Sequence, residues 1–280
     1  NSVNAETWNG SAWTEIADLN AARRLVAGSG TTTSALVFGG IGGTQTNESW
    51  DGSSWTEVGD LNTARDKAAG TGTLTNALEI AGLDTNIANV ESWNGSAWTE
   101  TTDVNTGSLQ VQGFGRSNAA IKVGGYVPAA SDTVENWNGS SWTEVSEINT
   151  ASIGHGAFGI STSGAIAGGN SYTDRHEAWD GSSWTETTEI NTGRSYVGAG
   201  GASSTSGMIF AGTASAGQNA TTELWDGTSW TESGDIGQTA GEARGNSQSI
   251  TAGMAKLDNP AKTQTEEWTL SHAFKKVTTS

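Results

Sequence analysis

The 280-residue chain has no cysteine, few basic residues and no long apolar run. The absence of cysteine excludes disulfides and thiolate metal sites. No stretch of 18 apolar residues is present, so no transmembrane helix is predicted. Only 13 Lys and Arg accompany 30 Asp and Glu, and these basic residues are scattered. Nucleic-acid binding needs clustered cations, so we expect neither a nucleic-acid partner nor membrane insertion.

Glycine and tryptophan are abundant instead, with 39 and 13 copies. A net charge of −17 with few aliphatic residues would ordinarily favour disorder. The tryptophans argue against disorder because each can bury about 150–250 Å² and because they recur at regular intervals. No signal peptide is visible and the first residue is Asn1 rather than Met. We therefore expect residues 1–280 to be one domain, processed or cut from a longer chain.

Self-similarity dominates the sequence. Glu-x-Trp occurs seven times, with steps of 42 to 46 residues between successive tryptophans, and in six copies a second Trp follows five residues later. We assign all of these tryptophans a structural packing role: Trp8 and Trp13, Trp50 and Trp55, Trp93 and Trp98, Trp137 and Trp142, Trp179 and Trp184, Trp225 and Trp230, and Trp268.

An Asp-Gly or Asn-Gly pair lies between the two tryptophans of each pair, as in "WDGSSW" at 50–55. Such a pair between strand-like runs predicts a tight hairpin. With Asp51 and Gly52 as a two-residue turn, Trp50 would oppose Ser53, and Trp50 and Trp55 would lie diagonally on one face of the hairpin.

Each repeat predicts four short strands, which we name a to d. In the second repeat they are "ARDKAAGTG", "ALEIAG", "ESW" and "SWTEV". The glycine-rich strand a suggests that neighbouring backbones approach closely. A glycine-rich, four-stranded unit of this length is typical of a β-propeller blade, because radial packing buries both faces of each sheet.

The repeats resemble the kelch family. The features that carry the resemblance are the small-residue pair after strand b, the aromatic residue in strand c with a Trp shortly after it, and an Arg that opens strand a. The small pair is Gly-Gly at 39–40, 124–125 and 168–169, and is degraded to Ala-Gly at 81–82, 211–212 and 252–253. The Arg occurs at Arg23, Arg65 and Arg194. The resemblance implies an all-β propeller of four-stranded blades.

The blade count has two solutions, because seven c–d hairpins accompany only six a–b pairs. We favour seven blades, with the missing a–b pair upstream of Asn1. The alternative is six blades, with residues 1–17 closing the last one.

Residues that could carry catalysis do not assemble in the sequence. A Glu recurs at the same position of every unit, as at Glu48, Glu91 and Glu135. A catalytic set is asymmetric, so we expect these glutamates to be structural and to pair with Arg65, Arg194 or a turn amide. The motif "SWDGSSW" departs from the sialidase box, since Gly52 directly follows Asp51. The three histidines, at 155, 176 and 272, stand at no ligand spacing. We therefore predict no enzyme activity, no metal and no cofactor.

Length variation between repeats predicts where a partner would bind. The spacing from the second Trp to the small-residue pair is 26 or 27 residues, but 7 to 10 residues separate that pair from the next Glu. Variable segments are loops free of packing constraints. In a propeller these b–c loops share one face with the d–a connections. The candidate contacts are Gln45, Asn47, Asp84, Asn86, Tyr126, Asp132, Tyr172, Asp174, Arg175, Gln218, Asn219, Lys256 and Asp258.

Three functional classes are compatible with this pattern. The first is a non-catalytic binding or display module on an exposed surface, extracellular or on a virion, because the "WNGSSWTE" repeats look similar to those of phage structural proteins, including tail fibres, and of bacterial surface proteins. Its partners would be other virion or surface proteins, host surface glycans, or further copies of the chain. The second is an intracellular kelch-type scaffold. The third is a glycan-active enzyme.

Overall fold

The computed structural model describes residues 3–41, 44–83, 85–246 and 249–258. These residues form short strands, with one 3₁₀ turn at Asn170–Tyr172. In chain order the strands are β1 (Ala5–Trp8), β2 (Trp13–Glu15), β3 (Ala27–Thr31), β4 (Ser34–Phe38), β5 (Asn47–Trp50), β6 (Trp55–Val58), β7 (Ala69–Thr73), β8 (Asn76–Ile80), β9 (Val90–Trp93), β10 (Trp98–Glu100), β11 (Gln112–Arg116), β12 (Ala119–Val123), β13 (Tyr126–Val127), β14 (Ala129–Ala130) and β15 (Val134–Trp137). The second half contains β16 (Trp142–Val145), β17 (Gly156–Ile160), β18 (Ser163–Ala167), β19 (His176–Trp179), β20 (Trp184–Glu186), β21 (Arg194–Ser195), β22 (Gly198–Ser203), β23 (Ser206–Phe210), β24 (Thr213–Ala214), β25 (Gly217–Gln218), β26 (Thr222–Trp225), β27 (Trp230–Ser233), β28 (Glu242–Asn246) and β29 (Gly253–Asp258).

Six four-stranded antiparallel sheets form within the described residues, and each is one blade. Blades 1 to 5 are β3–β6, β7–β10, β11–β12–β15–β16, β17–β20 and β22–β23–β26–β27, and blade 6 is β28–β29–β1–β2. The first strand of each blade contacts the first strand of the next, and β28 contacts β3, so the blades form a closed ring. The predicted all-β propeller of four-stranded blades is confirmed.

The blade count corrects our preference for seven. Strand β1 pairs with β29, with Glu6 opposite Ala255, so the N-terminal hairpin takes the place of strands c and d in blade 6. This is the six-bladed alternative in which residues 1–17 close the ring. A propeller needs one c–d hairpin per a–b pair, and the hairpin at residues 5–15 fills that requirement for the sixth pair. The seventh copy, at Trp268, lies outside the described residues.

The tryptophan pairs pack between blades. The first Trp of each described pair is 1–4% exposed, and the rings of each pair lie 5.2–5.5 Å apart with a tilt of 35–43°. Trp93 and Trp98 of blade 2, for example, pack against Leu36 and Phe38 of blade 1. The indole Nε1 of Trp93 donates to the Leu74 carbonyl at 2.8 Å. Each pair therefore joins its own sheet to the preceding one.

The c–d turn differs from the two-residue turn that we predicted. Trp50 lies directly opposite Trp55, not opposite Ser53, and four residues connect the strands. Oδ1 of Asp51 accepts hydrogen bonds from the backbone N–H groups of Ser53 and Ser54, at 2.8 and 2.9 Å. Asn94 and Asn138 make the same bonds through their own Oδ1 atoms. The repeats therefore select an Asx side-chain acceptor before Gly52, whose φ of +97° suits glycine.

Close approach of the inner strands is confirmed. A Cβ added to Gly70 of blade 2 would lie 2.6 Å from the Gly28 carbonyl oxygen of blade 1. One added to Gly207 of blade 5 would lie 2.1 Å from the ring of Phe158 in blade 4. The glycine-rich strands therefore let the blades converge on the axis.

The structure changes our interpretation of the small-residue pair after strand b, both in its residue preference and in its position in the last repeat. Its first position is left-handed whether it holds Gly39 (φ +66°) or Ala81 (φ +56°), and its second, as in Gly82 (φ +100°), holds glycine. Alanine tolerates the first conformation at a cost of about 1–2 kcal/mol. In the last repeat, the pair at 252–253 lies at the start of strand b, since β29 begins at Gly253.

Candidate binding face

The variable loops gather on one face of the ring. The Leu61 N–H donates to the Gln45 carbonyl at 2.9 Å, and the Ile148 N–H donates to the Asp132 carbonyl at 3.1 Å. Each bond joins a b–c loop to the d–a connection that leads into the next blade. We call this surface the b–c face. It comprises the described parts of residues 39–46, 81–89, 124–133, 168–175 and 211–221.

Three of these loops have secondary structure of their own. The loop of blade 3 contains the β13–β14 hairpin, which pairs with the preceding connection at Leu109 and Tyr126. The loop of blade 5 contains β24 and β25, which form a small sheet with β21. The loop of blade 4 contains the 3₁₀ turn, where Tyr172 has a φ of +60°. The face is therefore irregular above a regular ring.

The candidate residues divide by exposure. Tyr126 and Tyr172 are 38% and 44% exposed. The other exposed candidates are Gln45, Asp174 and Gln218, and the half-buried ones are Asn86, Asp132, Arg175 and Asn219. Asp84 lies outside the described residues.

Two candidates do not belong to the face. Asn47 is fully buried as the first residue of β5, and its Nδ2 donates to the Gly59 carbonyl at 2.6 Å. Lys256 is 5% exposed within β29, and its Nζ donates to the Leu257 carbonyl at 2.9 Å. The sequence predicted loop positions for both residues, because strand c was expected to begin at the Glu and strand b of the last repeat to end at Gly253. In the structure β5 begins at Asn47 and β29 continues to Asp258. Asp258 is the last residue of β29.

Several polar side chains of the face already have partners. Gln45 Nε2 donates to the Asn62 carbonyl at 2.9 Å, and Arg175 Nη1 donates to the Thr150 carbonyl at 3.2 Å. Oδ1 of Asn219 accepts the Thr221 N–H at 2.6 Å. These bonds hold the loops in shape.

The repeated glutamates are structural, as we predicted. Each described one is at most 4% exposed. In blade 5, Arg194 Nη2 donates to Glu223 Oε1 at 2.8 Å, and the backbone N–H and Nδ2 of Asn191 donate to Oε2 at 2.7 and 2.9 Å. Arg65 with Glu91, and Arg23 with Glu48, form the same ion pair. The Arg before strand a thus neutralises the Glu of strand c in the same blade.

Blades 3 and 4, which lack that Arg, use other cations. In blade 3, Lys122 Nζ of strand b lies 3.1 Å from Glu135 Oε1. In blade 4, Arg175 Nη1 lies 3.8 Å from Glu177 Oε1. Catalysis would need a carboxylate accessible to substrate, and these carboxylates are buried and bonded.

Sequence reasoning missed two parts of this network. Our sequence analysis did not single out the repeated Asn of "LNTAR" and "INTGR". Its recurrence at one position of the repeat was a signal of a structural role. Glu79 and Lys122 also escaped notice, although each is a charged residue inside an apolar strand b. Glu79 is 1% exposed and lies opposite Glu91 in the ladder, and its Oε2 is 3.4 Å from Arg65 Nε.

We expect Glu79 to make stability depend on pH. Burial raises the pKa of Glu79 from 4.5 to about 8, with Arg65 opposing the rise and Glu91 adding to it. Between these two values the folded state binds more protons than the unfolded state, so the free energy of unfolding falls as pH rises. Glu79→Gln should flatten this dependence in urea titrations at about pH 5, 7 and 9.

The matched control for that experiment is Glu57→Gln, because Glu57 is exposed on the outer strand of blade 1. It should leave the pH dependence unchanged. An equally steep dependence in Glu79→Gln and in the parent protein would contradict the assignment.

The two described histidines are packing residues. His155 and His176 are buried, and burial lowers the pKa of His155 to about 3 and that of His176 to about 4. His176 Nδ1 lies 2.7 Å from Thr187 Oγ1, and the His176 ring meets those of Trp225 and Trp230. His272 lies outside the described part of the chain. Within that part, no three His, Cys, Asp or Glu residues are grouped to hold a metal, and no helix is long and apolar enough to traverse a bilayer.

Comparison with known proteins supports the fold. The solved structure of YjhT is similar to this one, with a TM-score of 0.66 over 82% of this chain and 89% of that chain. The chain is a β-propeller. At 12% sequence identity the likeness concerns the fold alone. No protein-family model matches the sequence, kelch models included, and no curated protein is significantly similar to it. Structural similarity extends to 414 solved chains, and a fold shared so widely selects neither a function nor a ligand.

Proposed function

We propose that this protein is a non-catalytic binding propeller that presents its b–c face to a glycan on an exposed surface. The observation that carries the proposal is the position of its exposed rings. Among the described residues, the exposed large apolar side chains are Tyr126, Tyr172 and Ile160. The two tyrosines belong to loops of adjacent blades on the b–c face, whereas Ile160 lies at an a–b turn on the opposite face.

The chemistry of the two tyrosines suits a sugar. Within the described residues, neither hydroxyl has a hydrogen-bond partner, so each ring offers an apolar face and a free donor. Exposed Asp174 and Gln218 add acceptors and donors on the same face. Tyrosine binds polar ligands at a low cost in side-chain entropy, since only two torsions are fixed.

The opposite face has different chemistry. Its c–d turns repeat one Asx structure, and hydrogen bonds from Ser53, Ser183 and Thr228 contribute to lowering the pKa values of Asp51, Asp180 and Asp226 to about 2. These side chains are committed to their own turns. The repetition favours a structural role there and leaves recognition to the irregular face.

The proposed setting is extracellular, on a phage virion or tail fibre or on a bacterial surface. The net charge of −17 suits a solvated, exposed module. Neighbouring virion or surface proteins are the alternative partners.

We expect Tyr126→Ser and Tyr172→Ser together to weaken glycan or cell binding by about 10-fold or more, because the loss of anchor residues typically costs at least 1–2 kcal/mol. Binding would be measured on a glycan array and on intact bacterial cells. Ile160→Ser is the matched control, since it removes an equally exposed apolar side chain from the other face and should not change binding.

A loop graft extends the test. Residues 41–46 would replace 126–133 and 170–175, which spares buried Val134 and His176. If this graft folds and still binds as the parent does, the b–c face is not the recognition surface. If Ile160→Ser alone abolishes binding, the recognition surface is the opposite face.

A further inference from the structure

Blade 6 is the composite blade of the ring. Strands β28 and β29 come from the end of the described chain, and β1 and β2 come from its beginning. The junction is an antiparallel ladder in which Thr7 lies opposite Met254. Trp8 Nε1 donates to the Ile250 carbonyl at 2.9 Å, and Trp13 Nε1 donates to Thr222 Oγ1 at 2.8 Å. The ring therefore closes through non-covalent contacts of residues 5–15, the closing hairpin.

The closing hairpin lacks the polar anchors of the other c strands. Gly237 and Ala240 occupy the positions held by Asn191 and Arg194 in blade 5. Within the described residues, the Gly237 N–H takes their place and donates to Glu6 Oε2 at 3.0 Å. Burial raises the pKa of Glu6.

The seam beside the hairpin is also incompletely filled. A cavity of about 30 Å³ lies between blades 6 and 1, lined by Leu19, Val37 and Met254 among others. It is large enough for a water molecule, and its apolar lining loses dispersion contacts where it is empty. The replaced polar residues and the cavity lower the free-energy cost of detaching the closing hairpin from blade 6.

The sequence contains a seventh copy of the Glu-x-Trp pattern after β29. Glu266-x-Trp268 repeats Glu6-x-Trp8. Nine residues separate Lys256, the partner of Ala5, from Glu266, and nine to twelve separate the equivalent residues of the other five blades, as in Phe38 and Glu48. This seventh copy has no Asx-Gly pair and no second Trp, so it is an incomplete copy of the hairpin pattern.

We propose that the closing hairpin is exchangeable and that its alternative partner is a second copy of this chain. The hairpin of one copy pairs with β29 of another, as in domain swapping. The strand contacts are the same in both closures, so protein concentration and the connecting segment decide between them. That segment is short: exposed Ala17 and Asp18 link the hairpin to Leu19, which is buried in blade 1. Short connections of this kind favour exchange.

An edge vacated by exchange would need a cover, because an open strand edge associates with other chains. In a reciprocal dimer the partner's hairpin covers it. The exchange is independent of the b–c face and of any ligand.

The absence of cysteine allows a direct test in the full chain. Thr7→Cys and Met254→Cys would be placed in separate chains, which are mixed, unfolded, refolded together over a range of concentrations and oxidised. A disulfide between these positions can then form only across copies. We expect a mixed disulfide dimer whose fraction rises roughly tenfold for each tenfold rise in concentration while it is minor.

The matched control is Ser49→Cys mixed with Thr56→Cys. These residues also face each other in an antiparallel ladder, but within one hairpin of blade 1. This mixture should give no dimer above background. Both substitutions in one chain, at residues 7 and 254, should crosslink internally at low concentration.

Light scattering on the unsubstituted chain provides a readout that does not depend on the cysteines. A dimer whose amount after refolding rises with protein concentration supports the proposal. Lengthening the segment at 16–18 should reduce the amount of this dimer. Only monomer at every concentration, with no mixed disulfide above the control, overturns it.

Discussion

Replacing Trp93 with alanine is expected to lower the free energy of unfolding by about 3–5 kcal/mol. Trp93 is 4% exposed and packs with Trp98 against Leu36 and Phe38 of the neighbouring blade. The substitution removes this packing and the bond from Nε1 to the Leu74 carbonyl. Closure of the ring restrains the blades from collapsing into the space, so most of the cavity should remain. Urea denaturation, followed by tryptophan fluorescence and circular dichroism, gives the measurement.

Trp13→Ala is the comparison for that result. Trp13 is the second Trp of the closing hairpin and is only half-buried, so its loss should cost less than that of Trp93. A change below about 1 kcal/mol for Trp93→Ala would show that the tryptophan pairs do not hold the blades together.

Replacing Arg194 with alanine should also cost about 3–5 kcal/mol, because it leaves a buried carboxylate without its cation. Arg194 and Glu223 are fully buried, and Arg194 also donates to the Thr221 carbonyl at 3.1 Å. The double variant Arg194→Met with Glu223→Gln removes both charges and should recover much of the loss. A double-mutant cycle in urea would isolate the coupling between the two side chains.

Glu6→Gln is the matched control for the charge. Glu6 occupies the position of Glu223 in blade 6, but its bond is to the Gly237 N–H. Because burial raises the pKa of Glu6, neutralising it at pH 7 should cost less than Glu223→Gln and can stabilise the protein. Equal losses from both substitutions would contradict the ion-pair explanation.

The b–c face shows how far loop lengths can predict where the irregular surface of a propeller lies. Comparing the repeats located the irregular face, since loops tolerate length changes that packed strands do not. The same comparison misplaced Asn47 because strand c was expected to begin at Glu48, whereas β5 begins at Asn47 and its amide is buried against Gly59. Asn47 is buried because a backbone carbonyl accepts the hydrogen bond of its amide, and folding alone brings that carbonyl next to it.

The sequence by itself determined the repeat, the four-stranded blade and the packing role of the tryptophans, and it indicated Arg65, Arg194 or a turn amide as partners of the repeated Glu. It could do so because each of these features lies within one repeat or between adjacent repeats, and is written several times. Tertiary structure decided the number of blades, because the sequence contains seven Glu-x-Trp copies and only the pairing of β1 with β29 assigns the one at residues 5–15 to blade 6. It also decided the charge of Glu79, because a carboxyl pKa depends on the water that the surrounding blades exclude.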